Sequence, residues 1–198
     1  MRPIAVGDCL RRIAAKWLVR SPAGREAASS LLPRQIAFCK GGPCETLGMA
    51  VQSLVDGLPG DGDWVLLQID LQNAFNSVER GAVTAAVSDL FPAAVPWVSQ
   101  TMQAAPLLCG QEVLWSRKGV QQGDPLGPLL FALAIHDVVA TAPGDHMLHR
   151  WYLHDGVVVT KAGEAEAGAP SGAACRAAPP SPGVSLSCRR RLSGCVRG

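Results

Sequence analysis

A short apolar run that ends on a carboxylate, Trp64-Val-Leu-Leu-Gln-Ile69 followed by Asp70, constrains this chain more than any other feature. The segment before it, Leu58-Pro-Gly-Asp-Gly-Asp63, is a turn by composition, so the run is too short for a helix and reads as a buried strand. On both sides of it the pattern is helical. From Ile4 to Val19, Leu10, Ile13, Ala14 and Trp17 recur at helical spacing with Arg11, Arg12 and Lys16 between them, and Ser21-Pro22-Ala23-Gly24 ends the helix. Gly41-Gly42-Pro43 precedes a second helix, Cys44 to Val55, with Leu47, Val51, Leu54 and Val55 on one face. Helical pattern resumes from Arg80 to Leu90 and again after Pro96. Leu107 to Trp115 reads as a hairpin around Gly110-Gln111, and an apolar helix runs from Pro125 to about Ala140. Two last strands, Met147 to Leu153 and Val157 to Thr160, bracket His154-Asp155-Gly156, where Asp-Gly is a hairpin turn signal. Strands interleaved with helices predict an α/β (α+β) fold. An antiparallel sheet would carry Asp70 and the 147–160 hairpin, with helices packed on one face.

Hydrophobic residues make up 48% of the 198, enough to bury a core and exclude a wholly disordered chain. No apolar run approaches the roughly 20 residues that cross a bilayer, and no signal-peptide pattern opens the chain. The expectation is a nuclear or cytoplasmic protein, not secreted and without a membrane partner. Seven cysteines, an odd number with no C-x2-C pair, read as free thiols. Charge is uneven: residues 1–40 carry +6, residues 41–161 carry −7 and residues 162–198 carry +3. A basic N-terminal arm can contact phosphates, whereas an acidic centre suits phosphate only when cations neutralise it. After Lys161 the composition shifts to Ala, Gly, Pro, Ser and Arg without periodicity, so residues 162–198 are expected to form a disordered tail.

Three features carry chemistry. Asp70, at the C-terminal end of its strand, serves either as a cap or turn residue or as an oxygen ligand for a hard cation. Asp155 is either a plain Asp-Gly turn residue or, if its hairpin pairs with the strand of Asp70, the second carboxylate of a site. Two such carboxylates repel unless divalent cations lie between them, as in two-metal phosphoryl transfer. Gly119-Val-Gln-Gln122-Gly123-Asp124-Pro125 is either a loop and a helix capped by Asp124, or a glycine-flanked loop that brings backbone close to a nucleotide. His146, His149 and His154 cluster with Asp145 nearby, and His146 and His149 have a loosely metal-like spacing, but on a strand positions 146 and 149 face opposite ways, which counts against a shared ion.

In their order and joint presence these segments resemble the reverse transcriptase domain (RNA-directed DNA polymerase) of non-LTR retrotransposons. Ile69-Asp70 through Ala74-Phe75-Asn76 resembles motif A, Gly119 to Leu129 motif B, and Trp151-Tyr152-Leu153-His154-Asp155-Gly156 motif C. Arg2-Pro3-Ile4 with Leu10-Arg11-Arg12 is similar to the family's finger segment, and Gln35 with Gly41-Gly42 to Glu45 to the connection into the palm. The likeness covers roughly residues 2–160 and implies a partial finger segment over 1–43 and a palm over 44–161. It further implies that Asp70 and Asp155 are catalytic metal ligands, with Mg2+ or Mn2+ as cofactor. Arg2, Asn73, Ala74, Phe75, Gln122 and Gly123 would bind the nucleotide, with Phe75 under the sugar, and Tyr152 would touch the primer end. RNA template, DNA primer and dNTPs would be the partners, and a primer 3′-hydroxyl would attack the α-phosphate with loss of pyrophosphate.

The chain departs from the pattern at motif C, where the family has two adjacent aspartates and this sequence has His154-Asp155. Imidazole replaces a bridging carboxylate, so activity is expected to be reduced by several orders of magnitude. The resemblance also implies a truncated fragment, with little of the fingers before Arg2 and no thumb after Lys161. The alternatives are a non-catalytic nucleic-acid-binding fragment, or a functionless mobile-element remnant.

Overall fold

The computed structural model describes residues 7–39, 41–58, 63–141, 147–162 and 184–191. Along the chain run α1 (Cys9–Arg20), α2 (Pro22–Ser30), α3 (Pro43–Asp56), β1 (Trp64–Leu71), α4 (Ala74–Ser77) and α5 (Arg80–Leu90). A 3-10 turn (Pro92–Ala94) leads into α6 (Val95–Thr101), then β2 (Ala105–Cys109), β3 (Glu112–Ser116), α7 (Gly127–Ala134), α8 (His136–Ala140), β4 (Leu148–Tyr152), β5 (Asp155–Lys161) and β6 (Val184–Arg191). The architecture is mixed helix and antiparallel sheet, as expected. It divides into two compact units, residues 1–31 with 73–136 and residues 32–72 with 137–198. Each unit is built from two separate chain segments, a feature that a linear partition of the sequence does not express.

In the first unit, one line of buried side chains passes through three elements. Val83 and Val87 on α5, then Phe91, Ala94, Val98 and Met102, recur every three or four residues and are buried. The α5 part of this line packs with α7, whose Leu129 to Leu133 are buried all round, as a helix apolar on every face requires. Each such Leu or Phe contributes about 1.5–3 kcal/mol on burial. Ser21 both ends α1 and caps α2: its Oγ accepts from Gly24 N–H at 3.0 Å, with Pro22 in the first turn.

The apolar stripe of α1 is located here, and one expectation for this unit is corrected. Ala15 and Leu18 are the buried residues of α1, while Leu10, Ile13 and Trp17 are 78%, 63% and 69% exposed. Periodicity locates an apolar stripe but not the surface that covers it. The helix expected from Pro125 begins at Gly127 and breaks at Ile135, with Pro128 in its first turn. Asp124 therefore caps no helix; its Oδ1 accepts from Leu126 N–H at 2.9 Å in a turn, and its Oδ2 pairs with Arg11 at 3.3 Å.

The second unit is a four-stranded sheet in the order β4-β5-β1-β6, antiparallel throughout. The expected disorder over residues 162–198 is corrected for Val184–Arg191, which pairs with β1 from Leu71↔Val184 to Val65↔Arg191. The alternation Val184-Ser-Leu186-Ser-Cys188 is the period-two signal that the surrounding composition obscured. Ile69, Trp151, Val158, Val159 and Thr160 form the buried centre of the sheet. His149 is buried with them and accepts from Trp151 Nε1 at 2.7 Å, a core role rather than a metal-binding one. His146 and Asp145 lie outside the described residues. No helix among the described residues is long and apolar enough to cross a membrane.

Candidate metal centre

β1 and β5 pair so that Asp70 and Asp155 are cross-strand partners. Leu71 N–H donates to His154 O at 3.1 Å and closes this end of the pair. On the other side of β1, Asp70 pairs in register with Ser185 of β6. Within the unit the sheet therefore brings both predicted carboxylates to one strand end.

The hairpin that carries Asp155 turns one step earlier than the Asp-Gly signal predicts. Tyr152 and Asp155 are the closing pair of β4 and β5, so the two turn residues are Leu153 and His154. Leu153 supplies the positive φ, 54°, that a tight hairpin requires at its first central position. Gly156 is in the strand because of Trp151. A Cβ there would lie 2.8–3.0 Å from three carbons of the indole ring, so only glycine lets that ring pack on the strand.

Gln35 is the residue that holds the turn. Its side chain is buried, accepting from Leu153 N–H at 2.6 Å and donating to Leu153 O at 3.1 Å. Left-handed leucine costs about 1–2 kcal/mol, which this two-point bond offsets. Sequence reading placed Gln35 in a connecting segment. The signal for its role was an amide among apolar residues, which is too common to decode alone.

The turn sets His154 between the two aspartates. Its Nε2 is 4.0 Å from Asp70 Oδ1 and 3.9 Å from Asp155 Oδ2, and one ligand atom from each of the three residues lies within 4.8 Å of the others. Asp70 Oδ1 is shielded from solvent and accepts no hydrogen bond among the described residues. Two carboxylate oxygens and one imidazole nitrogen at this spacing form a donor set that could hold a cation. Tyr152, opposite Asp155, keeps its proton to higher pH than usual, first through burial and then through the neighbouring Cys44 thiol and Glu45.

The other predicted site residues belong to the first unit. Asn73 is left-handed (φ 52°) and opens α4; Ala74 is buried; Phe75 stacks on Phe131 with ring centroids 4.7 Å apart. The glycine-flanked loop meets this turn directly. Val120 N–H donates to Phe75 O at 2.7 Å and Gly119 N–H to Val78 O at 2.9 Å, so the two segments touch at Phe75. Gln122 is half-buried and Gly123 exposed at φ 101°. Arg2 lies outside the described residues.

Arg80, which sequence reading used only to start a helix, gathers the loop ends. It donates to the carbonyls of Gly119, Met102, Gln103, Ser116 and Lys118 and to Ser116 Oγ, at 2.6–3.3 Å. Burial, and secondarily Arg11, lower its pKa from the usual arginine value.

No family profile and no curated protein matches the chain.

Proposed function

We propose that this chain is a reverse-transcriptase-type polymerase palm, built for template-directed addition of dNTPs to a primer 3′-hydroxyl, with its chemistry impaired at His154. The observation that carries the reading is the register pair Asp70↔Asp155, which joins the motif A and motif C carboxylates at one strand end. The contact of Val120 N–H with Phe75 O supports it, because the motif B loop borders the residue that would lie beneath the sugar. In this reading the backbone at Asn73 and Ala74 faces the triphosphate, Gln122 and Gly123 line the nucleotide, and Tyr152 meets the primer end. RNA template and DNA primer are the partners.

The donor set departs from the magnesium pair that this chemistry uses. Mg2+ demands near-octahedral oxygen, which Asp70 and Asp155 offer, yet the atom between them is an imidazole nitrogen. These three residues do not fit paired magnesium, and no catalytic step is drawn through it. Primer extension on an RNA template tests the reading. The unaltered chain should give little or no product in Mg2+, and His154→Asp should restore it. Ordinary extension by the unaltered chain, or none by His154→Asp, contradicts the proposal.

A second reading is nucleic-acid binding without catalysis, favoured by the exposed face of α1. Arg12, Lys16 and Arg20 form one row at four-residue spacing, with exposed Trp17 alongside. Trp17 and Trp97 line an apolar groove of about 320 Å3 within the same unit, so phosphate contacts and a stacking surface lie together. RNA binding that weakens steeply with salt and is lost in Arg12→Ala/Lys16→Ala supports this reading; salt-independent binding opposes it.

A further inference from the structure

We infer that Asp70, His154 and Asp155 form a site for one divalent transition cation and discriminate against Mg2+. The inference rests on the geometry of the three side chains and not on the polymerase reading. Two carboxylates and one imidazole converge at one strand end, with His154 Nε2 central at 4.0 and 3.9 Å from the two oxygens. The three ligand atoms lie within 4.8 Å of one another, and ligands on a common ion at ~2.0–2.2 Å stand about 3–3.4 Å apart, so contraction of about 1–2 Å closes the set. The side chains that must move are half-exposed Asp70 and Asp155, while the His154 backbone is tied to Leu71 at 3.1 Å.

The donor chemistry selects the ion. Imidazole suits Fe2+, Co2+ and Zn2+ and accepts Mn2+ less tightly but better than Mg2+, and affinity rises along the first transition row. Two carboxylates with a neutral imidazole balance a single divalent charge, whereas a second cation would leave two positive charges uncompensated by this cluster. Three protein ligands leave coordination positions for water or an oxyanion. Gln35, through Leu153, is a positioning residue for the imidazole.

Mn2+ alone is the probe, because exposed thiols such as Cys9, Cys44 and Cys109 bind it weakly. Loss of the free-ion magnetic resonance signal should report binding near one equivalent. Spin-echo modulation of the bound ion should show one directly coordinated imidazole nitrogen. Mg2+ should displace Mn2+ only at more than tenfold excess over the Mn2+ present. In His154→Asp the nitrogen coupling should vanish and the Mn2+-over-Mg2+ preference should fall at least tenfold, with the circular dichroism unchanged. Asp70→Asn should weaken Mn2+ at least tenfold. Absence of nitrogen coupling, or the same ion preference in His154→Asp, overturns the inference. Primer-extension results do not bear on either readout.

Discussion

Gln35 and Leu153, far apart in sequence, are joined by two hydrogen bonds between one side-chain amide and one residue's backbone, at 2.6 and 3.1 Å. This bond fixes a left-handed leucine and so the position of the histidine that follows it. Gln35→Leu keeps the volume but leaves both Leu153 groups unpaired, and should cost on the order of 2–4 kcal/mol in urea unfolding. The same variant should also weaken Mn2+ binding. A loss below about 0.5 kcal/mol would show that the turn holds itself.

Gly156 and Trp151 make a second local requirement. A methyl at 156 meets the indole at 2.8–3.0 Å, so Gly156→Ala should destabilise by about 1–3 kcal/mol. Trp fluorescence should change with it, because the ring must shift to admit the methyl. An unchanged midpoint in denaturant would contradict the packing described.

Gly119 is subject to two constraints at once. Its φ is +73°, and a Cβ would lie 2.5 Å from Phe75 O and 2.6 Å from Asn76 C, both backbone atoms that cannot swing away. Gly119→Ala should therefore cost roughly 2–4 kcal/mol, more than Gly110→Ala, where the added carbon meets nothing within 4 Å. Thermal unfolding of the two variants side by side checks the ordering.

Arg80 bonds five carbonyls with one planar fork. Arg80→Lys retains charge but not the fork, so it should recover little of the loss, on the order of 3 kcal/mol, expected for Arg80→Ala. Equal stability of the lysine variant and the parent would show that charge alone suffices.

Tyr152 is the single tyrosine, so its phenolate absorbance is read directly. Burial, Cys44 and Glu45 raise its pKa above the ordinary 10.0. The folded state favours the neutral phenol, so this contribution to stability is fully present below the unfolded-state pKa. It is lost as pH rises through the higher folded-state pKa. Alkaline difference spectra should give a midpoint above 10.0 for the folded chain, falling in Cys44→Ala and reaching the ordinary value in urea.

Much of the fold was legible because it rests on local signals. The apolar run at Trp64, the Arg80 to Leu90 helix and the hairpin around Gly110-Gln111 follow from period and turn composition. Asp70 and Asp155 were legible as candidates, and their pairing follows once β1 and β5 are antiparallel neighbours. What stayed hidden depends on partners distant in sequence. The Asp155-Gly156 signal misplaced the turn because the glycine answers to Trp151's ring, and Leu153 carries the positive φ only because Gln35 holds it. β6 was hidden because its five-residue alternation sits inside an Ala-, Pro- and Arg-rich stretch. The α1 stripe was visible, but whether it faces inward is decided by surfaces that a helical period does not describe.

The most direct test places Asp70→Ala in the His154→Asp background and measures primer extension on an RNA template in Mg2+. Extension by His154→Asp that disappears in the double variant is the predicted result. It would identify the Asp70–Asp155 strand end as the chemical centre and His154 as the lesion. Extension that survives the loss of Asp70, or that the unaltered chain already performs at the same rate, would contradict the account.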